Sequence, residues 1–274
     1  MATERVNLFF NSKGAGKVKS EVAGIGTAST AASKAAAGLK TKLGLVFATV
    51  GIAKSVQTLA TFGQEMATVK AITSSTEGEF EALREKAKEL GSTTRFSATE
   101  AGQAMKFLGR AGFDSNEILG AVGGTLNLAQ AGALDLGRAA DIASNVLTGF
   151  NMTTEETGRV VDVLAKAANS SNTDVEQLGQ AMKFVAPVAA GLGVEMETTA
   201  AAISVLSDAG IQGAMAGTNL RMIMSQMMEP TKKAREELAR FGLSAEDISL
   251  KTNTFTEAVT KMADKGLEVD SFLK

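Results

Sequence analysis

Between residues 63 and 243 the apolar positions recur three or four residues apart, the spacing that places them on one face of a helix. After Ser97, for example, Ala101, Met105, Leu108 and Ala111 share a face. Start signals precede these runs. Ser97-x-x-Glu100, Asp114-x-x-Glu117, Thr153-x-x-Glu156 and Thr173-x-x-Glu176 have the form of a capping box, in which the first side chain accepts an orphan backbone N–H and the acid reaches back. Gly112, Gly132, Gly149, Gly193 and Gly210 stand where the runs close and read as helix stops. The pattern predicts about eight to ten helices of about 12–18 residues joined by tight turns.

The flanks read differently. Residues 1–18 begin with an alternating stretch, Arg5 to Phe10, that suits a strand or extended arm. Residues 19–62 are dominated by Ala, Ser, Lys and Gly, and so small a set of side chains buries little area alone. The expectation there is a long Ala-rich helix that needs a partner or a second copy of itself. Residues 244–274 hold a start at Ser244-Ala245-Glu246-Asp247 and a polar helix from about Phe255 to Lys265. They close on Val269-Asp270-Ser271-Phe272-Leu273-Lys274 without a stop signal, as in a segment that is cut or continued. The expected fold is all-α: a multi-helix domain of short helices over 63–243, preceded by the long Ala-rich helix and assembling as a bundle in an oligomer.

Composition narrows the chemistry. The 274 residues include no His, Cys, Trp or Tyr, only 2 Pro, and 28 Gly. Thiolate nucleophiles, Ser-His-Asp triads, disulfides and the usual zinc ligand sets are excluded. No catalytic, cofactor-binding or metal-ligating residue is assigned, and the chain is expected not to be an enzyme. Glu229 and Glu156 are lone acids that read as solvated or capping carboxylates. Ser12-Lys13-Gly14-Ala15-Gly16-Lys17 falls short of a phosphate loop, since its spacing is short and Val18 stands where a hydroxyl would hold magnesium.

The net charge of −2 is uneven. Residues 1–60 carry about +6 and the remainder about −8, a basic arm on an acidic body. The acidic body argues against specific nucleic-acid binding, which needs clustered cations. The longest apolar run, Leu43 to Ala53, is about half of the ~20 residues a membrane helix requires. No targeting segment is visible, and assembly in a cytoplasm is expected.

Two further patterns bear on organisation. Gly102-Gln-Ala-Met-Lys-Phe107 recurs identically as Gly179-Gln-Ala-Met-Lys-Phe184, either an internal duplication or two amphipathic helices converging on one solution. In Ala216-Gly-Thr-Asn-Leu-Arg221, Gly213 and Gly217 are expected to break a helix, with Thr218 or Asn219 capping the next. A functional reading has Gly217 admitting a close helix approach and Arg221 pairing with a partner carboxylate. Met222, Met224, Met227 and Met228 cover more than one helix face, so they suit a partner as well as the core. The candidate packing or partner contacts are Gly213, Gly217, Thr218, Arg221, Met224, Met227 and Met228.

In order along the chain stand Phe62-Gly-Gln-Glu-Met66, Phe80-Glu-Ala-Leu-Arg84, Thr94-Arg-Phe-Ser97, Leu108-Gly-Arg-Ala-Gly-Phe113, Asn127-Leu-Ala-Gln-Ala131, Asn169-Ser-Ser171, Ala209-Gly-Ile-Gln-Gly213, Glu229-Pro-Thr231 and Phe241-Gly-Leu243. This series, over about residues 62–243, resembles the amino-terminal conserved domain of phage tail tape measure proteins. The resemblance implies a structural protein in the lumen of a phage or phage-like tail, which sets tail length during assembly and is expelled to assist DNA passage at infection. It implies as partners further copies of itself (a trimer or hexamer), tail-tube and tail-tip or baseplate proteins, a tail assembly chaperone and, transiently, the host membrane. An alternative from another class is a membrane-active helical protein that uses the basic N-terminal region and the apolar run 43–53.

Overall fold

Most helices begin where a short polar side chain takes up an orphan N–H. The computed structural model describes residues 57–267. The arm expected at 1–18, the apolar run 43–53 and most of the Ala-rich segment lie outside the described residues. The first described helix, α1, covers 57–73 and runs across the boundary expected at 62. It is followed by α2 (Glu77–Thr93), α3 (Ala98–Arg110), α4 (Ser115–Ala131) and α5 (Leu136–Phe150). A 3-10 turn, Thr154–Glu156, leads into α6 (Thr157–Ser170), α7 (Val175–Gly191), α8 (Met196–Asp208) and α9 (Gly213–Met228). The shorter α10 (Lys232–Arg240), α11 (Ala245–Ile248) and α12 (Phe255–Asp264) close the described chain. The fold is all-α, with no strand among the described residues.

Full capping boxes form at Ser97 and Asp114, and also at Thr76, Ser244 and Thr254. At Thr153 the Glu156 carboxylate accepts the Thr153 N–H at 3.0 Å. The box expected at Thr173 does not form. Asp174 caps α7 by accepting the Gln177 N–H, and this frees Glu176 for a partner on another helix. Two of the expected stops also move by one or two residues. Gly132 remains right-handed and Ala133 takes the positive φ of 50°. Gly149 is inside α5, and Asn151 ends that helix in the left-handed region that Asn tolerates (φ 54°). Gly149 serves a different purpose: a Cβ there would lie 2.7 Å from the Ala186 Cβ of α7.

The helices stack in two layers. One layer runs α3, α5, α7, α9, each packed on the next, with α1 beside α3 through Gly102 against Met66 and the Lys106–Glu65 ion pair at 2.6 Å. The other runs α2, α4, α6, α8 in the same manner. Consecutive helices cross between layers, so the chain is a stack of helical hairpins of the α-solenoid kind. The core is aliphatic and small, from Val69 and Leu83 through Met105, Leu126, Ile142, Leu164 and Met182 to Met224. A second cluster joins Ile223 and Met227 of α9 to Leu238, Leu243, Ile248, Ala258, Met262 and Leu267.

The two identical hexamers occupy equivalent places in this stack. Gly102 and Gly179 each stand five residues after their helix caps, Ser97 and Asp174. Positions 101, 102, 104, 105 and 108 of α3 are buried, and so are 178, 179, 181, 182 and 185 of α7. Backbone landmarks recur at the same offset of 77 residues: the left-handed Ser74 and Asn151, the turn-start residues Thr76 and Thr153, and the positive-φ Ala133 and Gly210. Of the two readings left open by the sequence, an internal repeat accounts for landmarks outside the hexamer that chance convergence does not. α7 is 17 residues against 13 for α3, so Gly193 answers Gly112 four residues late. α8 is correspondingly shorter than α4, which restores the register by Gly210.

Candidate functional site

The seam between α7 and α9 is where the motif-like block of the sequence falls. Gln212 is the residue before α9, and Gly213 begins it with φ 57° and the Gln180 Oε1 3.2 Å from where its Cβ would lie. Gly217 does not break the helix. It lies within α9 and presses on the backbone of α7, so that a Cβ would stand 2.8 Å from both the Cα and carbonyl carbon of Ala181 and closer still to the carbonyl oxygen. Thr218 and Asn219 are accordingly interior helical residues and cap nothing. The expected break fails because the close approach of α9 to α7 uses the missing side chain, while the backbone stays helical.

The seven candidate residues do not converge on one surface. Gly213, Gly217 and Met224 are buried against the main core, and Met227 belongs to the second cluster. Thr218 and Arg221 are exposed, and Met228 is half-buried beside Glu229 and Pro230. Arg221 enters no ion pair among the described residues. The outward strip of α9 therefore combines Thr218 and Arg221 with the exposed Met215 and Met222. Burial on one side and a mixed apolar and cationic strip on the other give α9 two roles, structural toward α7 and available toward solvent.

The strongest polar contacts tie alternate helices together at their first turns. Arg138 of α5 donates through Nε to both carboxylate oxygens of Glu176 on α7, at 2.7 and 2.8 Å, and its Nη1 donates to Asp141. Arg159 of α6 grips Glu197 of α8 in a similar way, Nε and Nη2 donating at 2.6 and 2.8 Å. Each arginine reaches a glutamate 38 residues ahead, about one hairpin of the stack. No motif marks these pairs in the sequence, since their spacing has meaning only once the hairpins stack.

Hydrogen bonds from Arg138 hold the Glu176 carboxyl below the ordinary value of 4.5, against a smaller opposing effect of burial. Arg159 does the same for Glu197. A carboxyl depressed on folding stabilises the fold fully above its unfolded value, and that contribution fades as pH falls through the lower folded value. Replacing Glu176 by Gln is therefore predicted to lower the melting temperature at pH 7 by about 2 °C, the size expected of a half-exposed, solvent-screened pair. The gap between parent and variant should close as pH falls below about 4.5. Melting curves from pH 3 to 7 check it; a gap that persists at pH 3 counts against the ion pair as its cause.

One concave apolar surface carries no signal in the sequence. Thr198, Ala201, Ala202 and Val205 of α8 face Phe255, Val259 and Met262 of α12 across a groove of about 390 Å3, floored by Leu220 and Ile223. Val205 is 64% exposed within it. The α8 and α12 residues are ordinary helix-face residues in sequence, 50 or more positions apart, so only the tertiary arrangement brings them together. Among the described residues no group of His, Cys, Asp or Glu is placed to hold a metal ion.

A stack of helical hairpins sealed by glycine and alanine, with ion pairs that tie hairpin to hairpin, defines an all-helical architecture. Comparison with known proteins makes this specific. Residues 84–271 match the family model described as phage-related minor tail protein. The chain is 37% identical over 195 residues to the tape measure protein of Pneumococcus phage Dp-1, covering 71% of this chain and 17% of that protein. It is 32% identical over 169 residues to the probable tape measure protein of Escherichia phage P2, covering 62% of this chain and 21% of that protein. No solved structure matches. The chain belongs to the phage tail tape measure family. It spans about a fifth of the length of the relatives it matches. The match also reaches to residue 271, beyond the end near 243 suggested by the sequence motifs.

Proposed function

We propose that this chain is the folded helical domain of a tape measure protein that lies in the lumen of a tail tube, takes part in setting tail length during assembly and is expelled to assist DNA passage at infection. The identity to the Dp-1 tape measure protein over 71% of the chain carries this reading. Its partners are further copies of itself, as a trimer or hexamer, together with tail-tube, tip or baseplate proteins, the tail assembly chaperone and, transiently, the host membrane. The membrane-active alternative rests on the basic N-terminal region and the apolar run 43–53, which lie outside the described residues, and among the described residues no helix is long and apolar enough to cross a membrane.

Within that function the domain anchors more than it measures. A continuous helix of 274 residues would reach about 410 Å at 1.5 Å per residue, whereas folding into stacked hairpins built from helices of 13–17 residues forfeits most of that length. The exposed strip of α9 with Arg221 is the surface offered to a neighbouring tail protein.

The test is an in-frame deletion of the codons for residues 57–267 from the phage gene. Loss of infectious particles, with tails aborted or scattered in length by negative-stain electron microscopy, is the expected result. Tails of unchanged length on fully infectious particles overturn the proposal.

A further inference from the structure

In the layer formed by α2, α4, α6 and α8, each helix is covered by the next. The face of α4 is covered by the entry to α6. There Cβ atoms on Gly120 and Gly124 would lie 2.7 Å from the Thr154 Oγ1 and 2.5 Å from the Thr157 Cγ2, so the glycines allow full contact. Residues Met196 to Ser207 of α8 correspond to Ser115 to Leu126 of α4 with an offset of 81 residues. Asp114 and Glu195 precede the two helices, and buried Ser115, Ile118, Val122, Thr125 and Leu126 answer buried Met196, Thr199, Ile203, Leu206 and Ser207. At this offset Gly120 and Gly124 become Ala201 and Val205, two residues that line the open groove. The groove is thus the place in the stack where a following helix would lie, and its larger side chains leave α12 standing off.

We propose that residues 268–274 of this same chain occupy the groove. Three observations select them. They leave from Leu267, which lines the groove, so the tether keeps them at an effective concentration of the order of millimolar. Val269, Phe272 and Leu273 are spaced i, i+3, i+4, the spacing of one helical face, with Glu268, Asp270 and Lys274 between and around them. Seven residues reach about 10 Å as a helix, close to two turns of α8, and about 23 Å extended, more than its three turns. Stacking by a second copy is the rival occupant, and charge opposes it. The corresponding first helix of that layer, α2, presents exposed Glu77, Glu81, Arg84, Glu85 and Lys88, which would lose hydration in an apolar groove.

The chain has no cysteine, so engineered pairs report contact without background. The variant Val205→Cys/Leu273→Cys is oxidised at low protein concentration beside Glu77→Cys/Leu273→Cys, whose cysteine at 77 is also exposed but lies on the first helix of the layer. Non-reducing gels and intact mass then follow the disulfide. The expected result is a monomer with an internal disulfide, formed at least tenfold faster for the pair at 205 than for the pair at 77. Adding Phe272→Asp should bring the rate at 205 down to that of the control. A covalent dimer as the main product places a second copy in the groove and overturns the proposal, as does a rate at 205 no faster than the control. The circular dichroism spectrum of each variant should match that of the parent, since Val205 and Glu77 are exposed.

Discussion

Replacing Gly217 by Ala is expected to unfold or severely loosen the α7–α9 seam, with a loss of stability of about 3 kcal/mol or more. A single added methyl has this effect because of what it meets. Its nearest neighbours are backbone atoms of Ala181, the Cα and carbonyl carbon both at 2.8 Å. Side chains can rotate away from an added group, but a helix backbone can yield only by moving the whole helix. Overpacking of a well-filled core ordinarily costs about 1–3 kcal/mol, and a clash with backbone belongs at or above the top of that range. Intrinsic propensity works the other way, since Ala favours a helix interior over Gly by about 1 kcal/mol. A control separates the two effects. Gly158 is exposed in the first turn of α6, and a Cβ there meets nothing within 4 Å. Gly158→Ala should leave stability unchanged or raise it by up to about 1 kcal/mol. Urea titration of both variants decides the matter. A Gly217→Ala protein as stable as the parent would show that α7 and α9 do not pack at this distance.

Gly124→Val is the second large effect, and it asks whether the repeat explains the groove. Valine is the residue at the corresponding position 205 of α8, where the groove is open. In α4 its Cβ would meet the Thr157 Cγ2 at 2.5 Å, the Thr157 Cβ at 2.8 Å and the Thr157 carbonyl carbon at 3.2 Å. The entry to α6 must then withdraw. The expected cost is about 2–3 kcal/mol, with faster amide exchange in α6 and increased binding of an apolar dye at the newly opened face. Stability within about 0.5 kcal/mol of the parent, with unchanged exchange in α6, would mean that glycine at 124 does not govern how closely the next helix lies.

Much of this arrangement is legible in the residues alone. The helical spacing after Ser97, the capping residues at 97 and 114, and the polar helix beginning at Phe255 all reappear as α3, α4 and α12. Local chemistry suffices for these, because a capping side chain and its N–H lie within three residues of each other. Where structure and expectation part, a contact from another region of the chain is in control. Gly149 has the sequence context of a stop and is a contact surface for Ala186, while Gly217 has that of a break and rests on Ala181. A glycine is enriched in both situations, and nothing in its neighbours distinguishes a left-handed turn from a close approach. Asp174 displaces Thr173 as the cap of α7, and Glu176 then joins Arg138 instead of completing a box. The candidate contacts divide for a related reason. Those seven residues are close in sequence on one helix, and a helix sends neighbours in sequence to opposite faces.

By itself, then, the order of residues determined the all-α class, most helix starts, the absence of thiol and imidazole chemistry and the resemblance to tape measure proteins. These follow from propensity, from capping within a turn and from composition, all of them local or additive properties. Only the tertiary structure decided which glycines are seams, that the two hexamers occupy equivalent positions 77 residues apart, that Arg138 and Arg159 reach acids one hairpin ahead, and that α8 keeps an open apolar face. Each depends on the distance between helices, which is set by the pair of surfaces that meet and is therefore not written in either helix alone.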